Sequence, residues 1–200
     1  MKHTIQLEGY GLRLRPVAVD DAGFIIQLRG HPQARRTVGA TAPDVAAQQR
    51  WIETYYERDG DYYFIIETIS GGVVGTVGIY DAKAGTGQWG RWIIIPEMQF
   101  AAVSAAILAH RVAFEIIGLT TLVGSVVSTN KKVLSFHKRF GAEFTHVEPK
   151  SRMIDGEWVD LVWVRVQRSN WPTIFNRLKP LAEAVVRVLT PRDAVVPPTA

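Results

Sequence analysis

The sequence of 200 residues contains no cysteine. Without thiols the chain cannot form disulfides, thiolate metal sites or a covalent cysteine nucleophile. Its five histidines are scattered and show no paired metal-ligand spacing. No metal is therefore expected at the functional site.

Long hydrophobic runs are also missing. Charged residues, histidine or proline interrupt each apolar stretch before the roughly 18 residues that a bilayer crossing requires. The N-terminal segment MKHTIQLEG has no signal-peptide core. These features predict a soluble, cytoplasmic protein with no transmembrane segment.

The chain also has little excess positive charge, since its net charge is only +4. The basic residues concentrate at 131–139 and beyond residue 168 and do not form a broad basic face. This distribution argues against nucleic-acid binding. The cluster at 131–139 is either a solvated helix face or a group that holds cofactor phosphates.

The hydrophobic pattern predicts an α/β fold of the α+β type with a mixed sheet. Strands are predicted at 12–17, 62–68, 73–80, 88–95, 121–127, 143–147 and 157–166, and helices at 22–28, 43–58, 100–117 and 130–140. Short turn-forming segments separate the three strands between 62 and 95, which predicts an antiparallel meander. The element order predicts helices on both faces of the sheet.

The domain is predicted to span residues 1–168, followed by an amphipathic helical tail at 169–200. Pro180 is expected to interrupt this helix, and the Pro-rich end is expected to fray. Packing against the domain is the default arrangement of the tail. Contact with a partner chain, as in a homodimer, and contact with a membrane surface remain open.

The segment RWIIIPEMQFAAVSAAIL, residues 91–108, places a strand directly before a long apolar helix. The unpaired N–H groups and the positive dipole end of such a helix attract anions. Small side chains at 101, 102 and 104 would let a phosphate approach the backbone. An ordinary strand-to-helix junction is the alternative interpretation.

The element order and two motifs resemble the GNAT superfamily of acyl-CoA-dependent N-acetyltransferases over about residues 10–166. The family's pyrophosphate motif Q/R-x-x-G-x-G/A corresponds to QFAAVS at 99–104. Ala102 replaces the first glycine of the motif, and Ser104 stands at the second small-residue position. The segment NKKVLSFHKRFGA at 130–142 resembles a second family motif, a helix that starts after an asparagine and ends with L-Y-x-x-x-G-F. The resemblance implies a mostly antiparallel central sheet with one splayed strand pair.

The N-terminal half resembles one branch of this superfamily. The resemblance lies in the segment LRGHPQARR, in Gln48 and Trp51, and in the strands DYYFII and QWGRWI. This branch acetylates amino groups on nucleotide-linked sugars, with the pseudaminic acid pathway enzyme as its type. Acetyltransferases of ribosomal-protein N-termini and of small amines share the layout. A non-catalytic GNAT-like module is a further alternative, because the family's motif residues at 102, 104 and 137 are replaced.

The resemblance implies acetyl-CoA as co-substrate and a small amine-bearing acceptor. Residues implied to hold acetyl-CoA are Trp92, Ile93, Ile94, Ile95, Gln99, Phe100, Ala101, Ala102, Val103, Ser104 and Asn130. Asn130 either contacts the pantetheine arm or caps a helix. The backbone N–H near Ile94 is the expected oxyanion donor, and His137, at the position of the family's tyrosine, is the expected proton donor as an imidazolium.

The acceptor side is less defined by the sequence. Gln88 stands where the family often has a glutamate base, so a water-mediated base is expected, with His31, Glu67 and Asp81 as candidates. Candidate acceptor-binding residues are His31, Trp51, Tyr63, Trp89 and Arg91. The aromatic members of this set could equally be core residues.

Overall fold

A computed structural model describes residues 2–35, 37–38, 42–154 and 156–189. Eight strands form one sheet in the order β1-β2-β3-β4-β5-β6-β8-β7. The strands are β1 (Leu7–Gly9), β2 (Leu12–Pro16), β3 (Tyr62–Thr68), β4 (Val73–Lys83), β5 (Thr86–Ile94), β6 (Thr121–Val127), β7 (Glu143–Ile154) and β8 (Glu157–Gln167). The α-helices are α1 (Ala22–Gly30), α2 (Pro32–Arg35), α3 (Val45–Tyr55), α4 (Ala102–Arg111), α5 (Lys131–Phe140) and α6 (Trp171–Leu189).

The α/β prediction with a mostly antiparallel sheet is confirmed, and all neighbouring strands except β5 and β6 are antiparallel. Strand β3 explains why helices cover both faces. Tyr63 and Ile65 pack in one hydrophobic cluster with residues of α1 and α3, whereas Phe64 and Ile66 belong to the larger cluster with α4 and α6. Because alternate side chains of a strand point to opposite faces, the two clusters lie on opposite sides of the sheet.

Strands β5 and β6 are parallel and separate after a short paired stretch. Their pairing runs from Thr86 opposite Thr121 to Gln88 opposite Val123 and then ends. On its other edge β5 carries a bulge, since two of its residues, 91 and 92, face one residue of β4. Arg91 in this bulge takes a φ of 49°. A bulge bends its strand, which is consistent with the gap that opens beside residues 92–94.

The helix after β5 differs in detail from its prediction. Residues Pro96–Ala101 form 3-10 turns, α4 begins at Ala102 and not at residue 100, and a π-helical turn, Val112–Ile116, follows it. Pro96 suits the first helical position, where its missing N–H costs no hydrogen bond, and Met98, with a non-helical φ of −110°, interrupts the turns before α4. By length and composition the stretch Pro96–Ile116 could cross a membrane, but 61% of its most apolar window is buried, as in a core helix.

Three further features differ from prediction. Strand β1 and the short helix α2 had no predicted counterpart, since a three-residue strand and a four-residue helix carry almost no periodic signal. Strand β7 continues to Ile154, well beyond the predicted end at 147. Its outward-facing polar residues obscure the alternation that identifies a strand.

The C-terminal segment packs on the domain through α6. Its buried residues are Trp171, Ile174, Leu178, Ala182 and Val185, all in the main core. The helix continues through Pro180, contrary to the predicted interruption. Pro180 is exposed, so water can satisfy the carbonyl group that loses its helical donor. The predicted fraying beyond residue 189 lies outside the described residues.

Helix α6 also holds the C-terminal end of α5. Gly141 ends α5 with a φ of 98° and donates its N–H to the His137 carbonyl. The Arg177 Nη2 atom donates to the carbonyl oxygens of Phe140 at 2.6 Å and Arg139 at 3.1 Å. These bonds satisfy carbonyl groups that have no partner within the helix.

Replacing Arg177 by alanine is therefore expected to lower the free energy of unfolding by about 1 to 2 kcal/mol, because two charge-assisted hydrogen bonds are lost. Urea unfolding measures this change. The control is Arg187→Ala on the same helix, which removes an exposed side chain and should change stability by at most about 0.5 kcal/mol. An equal loss in both variants would contradict the role of Arg177.

Candidate functional site

The gap between β5 and β6 opens into a cleft with two adjoining cavities. The turn-side cavity, of about 150 Å³, lies against the turn that precedes α4. The arginine cavity, of about 230 Å³, lies between the diverging strands and reaches Tyr80 and three arginines. Both are lined by Thr37, Val38, Trp92, Asn130 and Val133, so they form one continuous cleft.

The turn-side cavity gathers seven of the predicted site residues. These are His31, Trp92, Ile93, Ile94, Gln99, Ala102 and Asn130. Five other predicted residues do not line the cleft: Ile95, Phe100, Ala101, Val103 and Ser104. Ser104 is 0% exposed, because the first turn of α4 directs it into the core. Of the six residues predicted to form a phosphate cradle, the cleft is thus lined by Gln99 and Ala102.

A backbone N–H group of β5 faces the gap. The N–H of Ile95 donates to the Val74 carbonyl on β4 at 2.9 Å. Since successive N–H groups of a strand point to opposite sides, the Ile94 N–H points away from β4 and towards the gap. The Ile94 carbonyl accepts a hydrogen bond from Gln99 Nε2 at 2.6 Å. The cleft is therefore supplied with a backbone donor at its edge.

Asn130 has a structural role at the same place. Its Oδ1 atom accepts the N–H of Val133 at 3.2 Å, which makes it the N-cap of α5. The same residue lines both cavities. Helix capping, one of the two predicted roles, is thus observed. It fixes the N-terminal turn of α5 beside the cleft.

Arg91 is held rigidly in the arginine cavity. Its guanidinium forms a bidentate ion pair with the Asp61 carboxylate, in which the Nη2 and Oδ2 atoms are 2.8 Å apart. The same group lies 4.6 Å from the ring centre of Tyr80 and 5.3 Å from that of Tyr63. Its charge is therefore partly neutralised, and its position is set by aromatic contacts.

Two other arginines face the same space. Arg29 on α1 donates from Nη2 to the Val38 carbonyl at 3.1 Å. Arg152 on β7 is exposed, and within the described part of the chain no hydrogen bond or ion pair is found for its side chain. Among the described residues that line either cavity there is no aspartate or glutamate. The arginine cavity is therefore cationic and rich in hydrogen-bond donors.

His137 and Trp89 lie at the floor of the arginine cavity. They are 4% and 6% exposed, and their ring centres are 5.1 Å apart. The Trp89 Nε1 and His137 Nδ1 atoms have no hydrogen-bond partner among the described residues. Burial lowers the pKa of His137 to about 4. The predicted imidazolium is therefore corrected to a neutral imidazole at pH 7, because the charged form would be desolvated.

The remaining predicted residues lie elsewhere. Trp51 and Tyr63 pack in the cluster under α1 and α3 and do not line the cleft. Of the candidate bases, Glu67 is paired with Arg15 at 2.6 Å. Asp81 accepts a hydrogen bond from Gln88 at 2.8 Å, away from the cleft. His31 alone among these three candidates lines the cleft.

Several polar cleft residues were not among the predicted site residues, including Tyr80, Ser125, Lys132 and Arg152. Lys132 had a signal in the basic cluster at 131–139. Arg152 had none, because a position on β7 beyond residue 147 was not predicted to be part of the sheet.

The buried histidines make stability depend on pH. Burial lowers the pKa of His137 to about 4 and that of His110, which packs against the same Trp89 ring, to about 3. Between pH 6.5 and about 4 the unfolded chain then binds more protons than the native protein, so acidification destabilises the fold. We expect the free energy of unfolding to fall by about 1.4 kcal/mol per pH unit for each fully buried histidine across this window.

Urea unfolding at a series of pH values between 7 and 4.5 measures this dependence. His110→Phe should reduce the slope, since phenylalanine fits the aromatic surroundings and does not titrate. The same slope in the variant and the wild type would contradict the assignment.

The sequence matches a known protein family, and the fold matches solved structures. The model of the acetyltransferase (GNAT) domain family matches residues 11–143. Apo FdhC, a nucleotide-linked sugar GNAT, superposes with a TM-score of 0.75 at 25% identity, covering 90% of this chain and 99% of its own. No curated protein matches the sequence.

Two further structures share the fold at lower identity. Spermidine N-acetyltransferase from Vibrio cholerae in complex with CoA and spermine has a TM-score of 0.75 at 18% identity, covering 82% of this chain and 99% of its own. A GCN5-related N-acetyltransferase from Brucella melitensis has a TM-score of 0.73 at 19% identity, covering 98% and 90%.

Proposed function

Since this chain belongs to the GNAT family and is an acyl-CoA-dependent N-acetyltransferase, we propose that it acetylates the primary amine of a nucleotide-linked amino sugar. The observation that carries this choice is the cationic arginine cavity. Its described lining includes Arg29, Arg91 and Arg152 and no carboxylate. An acceptor with phosphates is attracted by such a cavity, whereas a polyamine is repelled.

The turn-side cavity is the place for acetyl-CoA. The free edge of β5 at residues 92–94 can pair with the pantetheine arm, as a further strand would. Lys132 and the N-terminal turn before α4 favour the pyrophosphate, through a positive charge and the helix dipole. Ala102 keeps this end of the cleft open for the cofactor because its side chain is one methyl group. The residues present therefore fit this co-substrate.

The transfer forms a C–N bond at the thioester carbonyl and breaks the C–S bond. The Ile94 N–H, directed into the gap, donates to the oxyanion that develops on the carbonyl oxygen. The leaving thiolate takes up a proton while the attacking nitrogen loses one. His137, neutral at pH 7, donates a hydrogen bond from its N–H to the leaving sulfur and keeps its proton, so the proton that the thiolate takes up comes from water in the open cleft.

The amine must be neutral to attack. Among the described residues that line the cleft no carboxylate is available as its base. Nearby guanidinium groups disfavour an ammonium ion and lower its pKa, so the cavity itself promotes the neutral amine. A water molecule in the open cleft can then carry the proton to solvent.

The test begins with calorimetric titration of acetyl-CoA and continues with acceptor screening. We expect acetyl-CoA to bind and a UDP-linked amino sugar to be acetylated, with the product identified by mass spectrometry and free CoA measured as thiol. Spermidine and a peptide with a free N-terminus serve as competing acceptor classes. Acetylation of only spermidine or only the peptide would overturn the proposed acceptor.

A further inference from the structure

Strand β7 contains a wide bulge between two paired segments. Glu148 pairs with Leu161 and Arg152 with Val159, so the three residues 149–151 face Asp160 alone. Lys150 in this bulge takes a φ of 46°, and its N–H donates to Asp160 Oδ1 at 2.9 Å. The bulge is thus fixed by a specific bond to the neighbouring strand.

The bulge determines where Arg152 lies. Beyond it the strand resumes pairing, and the partner Val159 packs with the small cluster formed by Val127, Ile154 and Leu161. Directly paired residues share a face of the sheet. Arg152 is therefore placed on the face of this cluster and lines the arginine cavity. Its side chain is exposed at the mouth of the cavity.

The three arginines of the cavity are not equivalent. Arg91 is paired with Asp61, and Arg29 donates to a backbone carbonyl. The structure gives no hydrogen bond or ion pair to the guanidinium of Arg152 within its described residues. Deeper in the same cavity, Trp89 Nε1 and His137 Nδ1 are buried and have no hydrogen-bond partner among the residues that the structure describes. The cavity therefore combines an available guanidinium at its mouth with unpartnered nitrogen atoms at its floor.

We propose that Arg152 is the specificity-determining residue that binds the diphosphate of the acceptor at the mouth of the arginine cavity. This inference rests on the proposed function. The planar guanidinium can donate two parallel hydrogen bonds to phosphate oxygens. The amino sugar would then extend inwards, past Arg152 towards Trp89, with its amine near the gap between β5 and β6.

The experiment measures UDP binding by calorimetry to the protein saturated with CoA, with uridine as the ligand that lacks phosphates. We expect Arg152→Gln to weaken UDP binding about tenfold or more, since a charge-assisted bidentate contact is lost. Uridine binding and CoA affinity should be unchanged. Arg152→Lys should restore only part of the affinity, because lysine keeps the charge and loses the paired donors.

Lys150→Gln is the matched control, because it removes one positive charge from the bulge that precedes Arg152, at a residue that does not line the cleft. It should bind UDP as the wild type does. Equal UDP affinity in Arg152→Gln and the wild type would overturn the inference, as would a loss of CoA affinity in place of UDP affinity. Failure of the proposed function is a separate result, namely the absence of acetyl transfer to the amino sugar.

Discussion

Replacing His137 by phenylalanine is expected to lower kcat about 100-fold while the KM for acetyl-CoA changes little. The ring lines the cleft, is 4% exposed and carries a nitrogen without a partner among the described residues. Such a nitrogen is available to the reacting molecules. Phenylalanine preserves the contacts with Trp89 and Phe136 and removes only the donor, so the loss reports the donor itself.

The pH profile separates two forms of this role. Because burial lowers the pKa of His137 to about 4, the wild-type rate should show no loss between pH 6 and 8 from deprotonation of this ring. An imidazolium donor would instead lose activity as the pH rises through its pKa. Initial rates over this range, at saturating acetyl-CoA and acceptor, distinguish the neutral from the charged donor.

His110→Phe provides the control for the kinetic measurement. His110 is also buried and lies 4.7 Å from Trp89 between ring centres, but it does not line either cavity. Its replacement should leave kcat within a few-fold of the wild type. A full rate in His137→Phe, or an equal loss in both variants, would mean that the ring serves packing and does not donate a hydrogen bond to the leaving group.

The sequence was sufficient for the main elements of the fold. Strands β3 and β6 have the predicted bounds, because β-branched and aromatic residues fill them and turn-forming residues flank them. The element order led to the family, and hence to the splayed strand pair. Periodicity could not reveal the bulges of β5 and β7, since a bulge adds one or more residues without changing the residue types around it.

Part of the site could be predicted from the order of the strands and helices. Trp92, Ile93 and Ile94 line the cleft, and their place follows from the splayed strand before α4, whereas Ile95 of the same predicted set does not line it. Ser104 could not be placed from sequence, since whether a residue of the first helical turn faces the cleft or the core depends on where the helix begins. Arg152 is distant in sequence from the motifs and reaches the cleft only through strand pairing.

Replacing Ala102 by tryptophan should weaken acetyl-CoA binding about 100-fold, which corresponds to ~2.8 kcal/mol. Ala102 begins α4 and lines the turn-side cavity, whose volume is about 150 Å³. An indole group is comparable in size to this cavity, so it would occupy the space that the pyrophosphate needs. The helix itself should tolerate the change, because the residue is only partly buried.

Calorimetric titration with acetyl-CoA measures the effect, and circular dichroism verifies the fold of the variant. Phe100→Trp is the control, since it adds the same indole group in the same turn at an exposed residue that does not line the cleft. It should bind acetyl-CoA with wild-type affinity. Unchanged affinity in Ala102→Trp would place the pyrophosphate elsewhere on the protein. Selective loss in that variant would show that one methyl group at the start of α4 keeps the cofactor end of the cleft open.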